Sequence, residues 1–131
     1  MSTTYRSALF ALVLAGAVPP SSGARAETGH FPHAGQRVKV SYGVLTAIMT
    51  YEKDGTHVSF RVVDGLHKGG HATVPFEWIR TGPDAYLIDF TEPDRSTAIH
   101  YDDFASGRSE VFFTTPDMVF HRLHGTLQPV E

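Results

Sequence analysis

The chain has 131 residues, enough for one domain, with 14 acidic against 11 basic side chains and no cysteine. An acidic balance without any basic cluster is a poor match to a phosphate backbone, so no nucleic-acid partner is expected. The lack of cysteine excludes disulfides, thiolate catalysis and cysteine-based zinc sites, so a core must hold the fold unaided.

The first 26 residues read as a secretory signal peptide. Arg6 supplies the charged start, Ala8 to Val18 the apolar run, and Ala24-Arg25-Ala26 a small-x-small cleavage site. The run is shorter than the roughly 20 residues a spanning helix needs, so no membrane span is expected. Cleavage near Ala26 removes Arg6 and Arg25 and leaves a more acidic mature chain, expected to be secreted or periplasmic. Residues 27–35, with His30, Pro32 and His33, read as a loose polar tail.

From Arg37 the pattern alternates, with Val38, Val40 and Tyr42 on one face, which predicts a half-buried strand. Residues 44–52 form a second apolar run. Lys53-Asp54-Gly55 is a hairpin turn signal before a third strand over 56–63, where Val58, Phe60 and Val62 share a face. The loop 64–70 holds three glycines but lacks the strand-loop-helix setting of a phosphate-binding loop. A fourth strand is expected over 71–80, with Val74, Phe76 and Trp78 inward. Pro75 cannot donate to a ladder, so that strand belongs at an edge or carries a bulge.

The fifth strand lies between the breakers Gly82-Pro83 and Pro93-Asp94. Alternation puts Tyr86, Ile88, Phe90 and Glu92 on its inner face, so a carboxyl group follows three large apolar side chains inward. A carboxyl in such a place is neutral, hydrogen-bonded or at work. Residues 96–104, 108–115 and 118–127 complete the pattern as the sixth to eighth strands. In the sixth, Ile99 and Tyr101 are expected to point inward and His100 outward. Arg61, Asp89, Asp102 and Asp103 are expected on solvated faces. Eight short strands without helical periodicity predict an all-β, eight-stranded antiparallel barrel over residues 36–127, with 128–131 as a C-terminal tail. Such a barrel holds side chains or one small ligand.

Three stretches give the chain a likeness to a known family: residues 85–92 (AYLIDFTE), 99–107 (IHYDDFASG) and 120–126 (FHRLHGT). In these it resembles the MoaF-like family of small calycin, or lipocalin-like, barrels. A fainter similarity reaches the phenolic acid decarboxylases, in which the strand ending Thr91-Glu92-Pro93 here supplies a catalytic glutamate. That likeness implies a catalytic role for Glu92. Tyr42 matches one member of the tyrosine pair those enzymes use. Val40 stands in place of the other, and Gly69-Gly70-His71 stands where they carry an arginine.

The expected ligand is a small apolar or aromatic molecule inside the barrel, lined by Tyr42, Phe60, His71, Phe76, Trp78, Tyr86, Phe90 and Tyr101. Two further readings stay open. One is a cofactor-independent lyase, decarboxylase or isomerase with Glu92 as general acid or base; the other is an accessory domain without a pocket. No cofactor is expected. Of the eight histidines, His67 and His71 flank a glycine loop, and His121 and His124 fall on opposite faces of a strand, so no metal site is predicted.

Overall fold

The computed structural model describes residues 29–131; the leader and its cleavage site lie outside the described residues. The chain folds into nine antiparallel strands: β1 (Arg37–Ser41), β2 (Leu45–Tyr51), β3 (His57–Gly65), β4 (His71–Pro75), β5 (Glu77–Arg80), β6 (Ala85–Thr91), β7 (Thr97–Asp103), β8 (Arg108–Thr114) and β9 (Phe120–Val130). They hydrogen-bond in the order β4-β3-β2-β1-β9-β8-β7-β6-β5, a nearly closed barrel without helices among the described residues.

The expected fourth strand, 71–80, is two strands rather than one. β4 pairs with β3 and β5 pairs with β6, and the chain passes from one sheet edge to the other at Phe76. Pro75 is the last residue of β4, where its missing N–H breaks no ladder. β9 also runs to Val130, through most of the segment expected to be a C-terminal tail. Its residues 126–130 pair with β1, which closes that side of the barrel.

The core lies inside. Val38 and Val40 of β1, Tyr42 just beyond it, Val58 of β3, and Tyr86, Ile88 and Phe90 of β6 are all buried, as their alternation requires. The tail expectation changes from Phe31 onward. Phe31 is fully buried, with its ring 4.7 Å from Tyr51, 5.3 Å from Phe76, 5.4 Å from Trp78 and 5.2 Å from Tyr86. His33 stacks on Phe104 at 3.6 Å and binds the Asp84 carboxylate through Nε2 at 2.7 Å. The N-terminal segment therefore closes one end of the barrel. The other end carries the β1–β2, β3–β4, β6–β7 and β8–β9 connections.

One strand faces the opposite way from the sequence expectation. In β7, Ala98, His100 and Asp102 are buried, whereas Ile99 is 46% exposed. Directly paired residues of antiparallel strands point to the same face. Thr91 pairs with Thr97, so Ile88 lies opposite His100 and Tyr86 opposite Asp102. Tyr86 and Ile88 must face the core, so His100 and Asp102 face it too. The turn between β6 and β7 thus sets the parity of β7 against its own hydrophobicity. At Gly125 the backbones of β9 and β1 approach so closely that a Cβ would sit 1.9 Å from the Ser41 carbonyl oxygen. Only glycine fits there.

A buried polar chain beneath an unpaired carboxyl group

The parity of β7 brings polar side chains into the barrel, and neighbouring strands meet them. Ser109 of β8 lies opposite Asp102 and donates its hydroxyl proton to Asp102 Oδ1 at 2.5 Å. Tyr51, at the end of β2, donates to Oδ2 of the same carboxylate at 3.3 Å. The Tyr42 hydroxyl lies 2.8 Å from Ser109 Oγ and 3.3 Å from His100 Nδ1. Asp102 and Ser109 are fully buried and His100 is 5% exposed. Burial first, then the nearby Asp102 charge, holds the Tyr42 and Tyr51 phenols far above their ordinary pKa, so both remain protonated donors.

Glu92 sits just beyond β6 and continues its inward face, as alternation predicts. It is half-buried, and no described residue hydrogen-bonds its carboxylate. Burial raises its pKa above the ordinary carboxyl value. The Asp94 charge adds to the rise and His100 opposes it. Phe90 lies between Glu92 and the network, stacked on His100 at 5.5 Å and on Phe60 of β3 at 6.0 Å. Leu45, Val62, Ala72, Phe113 and Leu123 pack on the core from the same half of the barrel and remain partly exposed. Inward-facing side chains are thus sealed at the Phe31 end and partly open at the Glu92 end.

The other expected site residues divide into groups. Tyr42, Phe60 and Phe90 belong to the Glu92 half. Phe76, Trp78 and Tyr86 are buried in the cluster around Phe31, where they form the closed end of the core. His71 is exposed and lies opposite Arg61 on the outer surface, with Nδ1 at 3.2 Å from the Gly69 carbonyl oxygen. Tyr101 also faces outward, beneath the Arg108 guanidinium. Neither lines the interior. Asp102, expected on a solvated face, is the centre of the buried network, and His100, expected outside, is part of it. An Asp two positions along the strand from a His, and so on the same face, is visible in the sequence, but the direction of that face depends on the turn that precedes it.

A surface depression of about 660 Å³ lies at the rim of the closed end, lined by Arg37, Thr50, Glu52, Lys53, Asp54 and His57 among others. It carries charges of both signs and shares only Tyr51 with the inner network. No group of three or more His, Cys, Asp or Glu side chains among the described residues could hold a metal ion, and no described helix is long and apolar enough to cross a membrane.

A family model described as MoaF-like matches residues 34–128. Among solved structures, the chain is similar to a crystal structure from Burkholderia vietnamiensis described as a "putative beta-lactamase". That protein is 41% identical, with a TM-score of 0.77, and the match covers 79% of this chain and all of that one. No curated protein matches the chain.

Proposed function

The chain belongs to the MoaF-like family, and from that premise we propose that it is an exported binding protein that takes a small apolar or aromatic ligand into the Glu92 end of its barrel. The observation that carries this reading is the pairing of an unbonded, inward-facing carboxyl group with an apolar wall left partly open, above a fully satisfied polar floor. A carboxyl without a protein partner at the mouth of an apolar site is placed to receive a donor from a bound molecule.

A second reading is acid–base catalysis by Glu92 on such a ligand. Its support is the raised pKa of Glu92 together with His100, a second ionisable group on the same inner face. β-Lactam hydrolysis is not carried over from the structural neighbour. Ser109, the serine of the inner network, is fully buried and directs its proton to Asp102 rather than to a substrate.

Glu92→Gln tests both readings. Folding stability falls as pH rises through a raised carboxyl pKa, because the folded state then holds a proton that the unfolded state has lost. The substitution should therefore stabilise the protein at neutral pH, by less than about 1 kcal/mol because solvent still reaches the group. The gain should vanish below the ordinary carboxyl range. Ligands that donate a hydrogen bond to the carboxylate should bind more weakly, and any acid–base activity should disappear. Unchanged binding together with an unchanged melting profile across pH would place Glu92 in bulk water and end both readings.

Export rests on the leader alone. Amino-terminal sequencing of protein recovered from the periplasm or medium should begin at or near Glu27. A start at Met1 or Ser2 would remove the signal-peptide reading.

A further inference from the structure

The hydrogen bonds inside the barrel have a direction. Ser109 donates its hydroxyl proton to Asp102 Oδ1. Its proton spent, Ser109 Oγ accepts from Tyr42. The Tyr42 oxygen, having donated, accepts from His100 Nδ1–H. The chain thus fixes the His100 tautomer, with the proton on Nδ1 and a lone pair on Nε2. Nε2 itself makes no hydrogen bond in the protein. No buried side-chain nitrogen or oxygen of the described residues lacks a partner, so Nε2 belongs to the small accessible part of His100.

Two unbonded polar groups therefore face the same half of the barrel from β7 and the end of β6, the His100 imidazole lone pair and the Glu92 carboxyl, with His121 of β9 at the exposed rim of that end. No Lys or Arg of the strands shares the inward face there: β1 to β4 and β6 to β8 place only apolar, aromatic, Ser, His and Asp side chains inward, Glu92 follows β6, and β9 adds Leu123 and, at the exposed rim opposite Phe113, His121. A ligand carboxylate or phosphate inside the barrel would meet the Glu92 charge without a Lys or Arg on the inward strand faces to offset it, a costly arrangement in a half-dry site.

Building on the ligand-binding reading above, we propose that His100 Nε2 selects the ligand: the site takes a small uncharged aromatic molecule that bears a hydroxyl group, which donates to Nε2, and the Asp102–Ser109–Tyr42 chain is the positioning device that holds the imidazole as an acceptor. The ring of the ligand lies against the partly open wall of Phe60, Val62 and Phe113. A ligand of the same shape without the hydroxyl leaves Nε2 desolvated and unpaired, and the site discriminates against it for that reason.

The test uses three probes of similar size, 4-ethylphenol, ethylbenzene and 4-ethylbenzoate, titrated by calorimetry into the 27–131 protein and its His100→Phe and Tyr42→Phe variants. The phenol is expected to bind about tenfold tighter than the hydrocarbon, and the benzoate least of all. His100→Phe should remove the preference while retaining the hydrocarbon. Long-range ¹⁵N correlation spectra of the ligand-free protein should show His100 protonated on Nδ1, and Tyr42→Phe should redistribute that tautomer, a change that a purely packing role for Tyr42 would not produce. Equal binding of phenol and hydrocarbon, a preference that survives His100→Phe, or an Nε2–H tautomer in the unliganded protein would each overturn the inference while leaving a binding barrel standing. Failure of all three probes to bind at millimolar concentration would overturn the binding reading and this inference with it.

Discussion

Phe31→Ala should destabilise the barrel by about 3–5 kcal/mol, the range for emptying a fully buried phenylalanine site. The ring contacts Tyr51, Phe76, Trp78, Tyr86 and, more distantly, Phe104, side chains drawn from β2, the β4–β5 junction, β5, β6 and the β7–β8 turn. It joins elements that the sheet leaves apart at its seam, because β4 and β5 occupy opposite edges of the hydrogen-bonded order. Removing it opens a void at that end that the surrounding aromatics can only partly fill. Denaturant unfolding of the 27–131 protein measures the loss. Met118→Ala is the control, since Met118 is 81% exposed and its truncation should stay within about 0.5 kcal/mol. A Phe31→Ala loss as small as the control would mean that the N-terminal segment does not close the barrel.

That segment shows where sequence reading reaches its limit. The barrel itself was legible: alternation in β1, β3 and β6 put Val38, Val58 and Ile88 inside, and the structure buries all three. Pro75 announced an edge, and it ends β4 beside the seam. Phe31 was not legible, because a single aromatic among His, Pro and Gly has no periodicity to reveal what it packs against. Asp102 was hidden for a different reason. Its strand reads Thr-Ala-Ile-His-Tyr-Asp-Asp, and hydrophobicity alone turns Ile99 and Tyr101 inward. The register imposed by β6 turns them out. The cost of burying polar groups is met by hydroxyls from Tyr42, Tyr51 and Ser109, residues distant in sequence whose convergence only the closed sheet creates. The candidate site divides in the same way: Glu92 follows from the period of its own strand, whereas its companion His100 follows from a neighbour's.

Asp102→Ala should cost about 3–5 kcal/mol, and the reason lies in what it leaves behind rather than in the carboxylate itself. Tyr51 loses its acceptor and is fully buried, so its hydroxyl cannot turn to water, and Ser109 keeps a partner only by reversing its hydrogen bond to Tyr42, which undoes the order of the whole chain. An orphaned buried donor costs about 1–3 kcal/mol. The vacated volume adds a cavity term. If this accounting is right, the loss is recoverable without restoring the charge. Combining Asp102→Leu with Ser109→Ala and Tyr51→Phe removes the carboxylate and both donors that depend on it, and should regain most of the stability, because apolar groups of similar size replace a matched polar set. Tyr42 keeps His100 as its remaining hydrogen-bond partner, now as a donor to Nδ1, so the imidazole should switch to the Nε2–H tautomer. The combined variant should therefore fold yet lose its preference for the phenol probe over the hydrocarbon, separating what the network does for stability from what it does for recognition. Denaturant unfolding of the single and combined variants, followed by the same titrations, decides the matter. A combined variant no more stable than Asp102→Ala would show that the network holds the fold by more than mutual satisfaction of its hydrogen bonds.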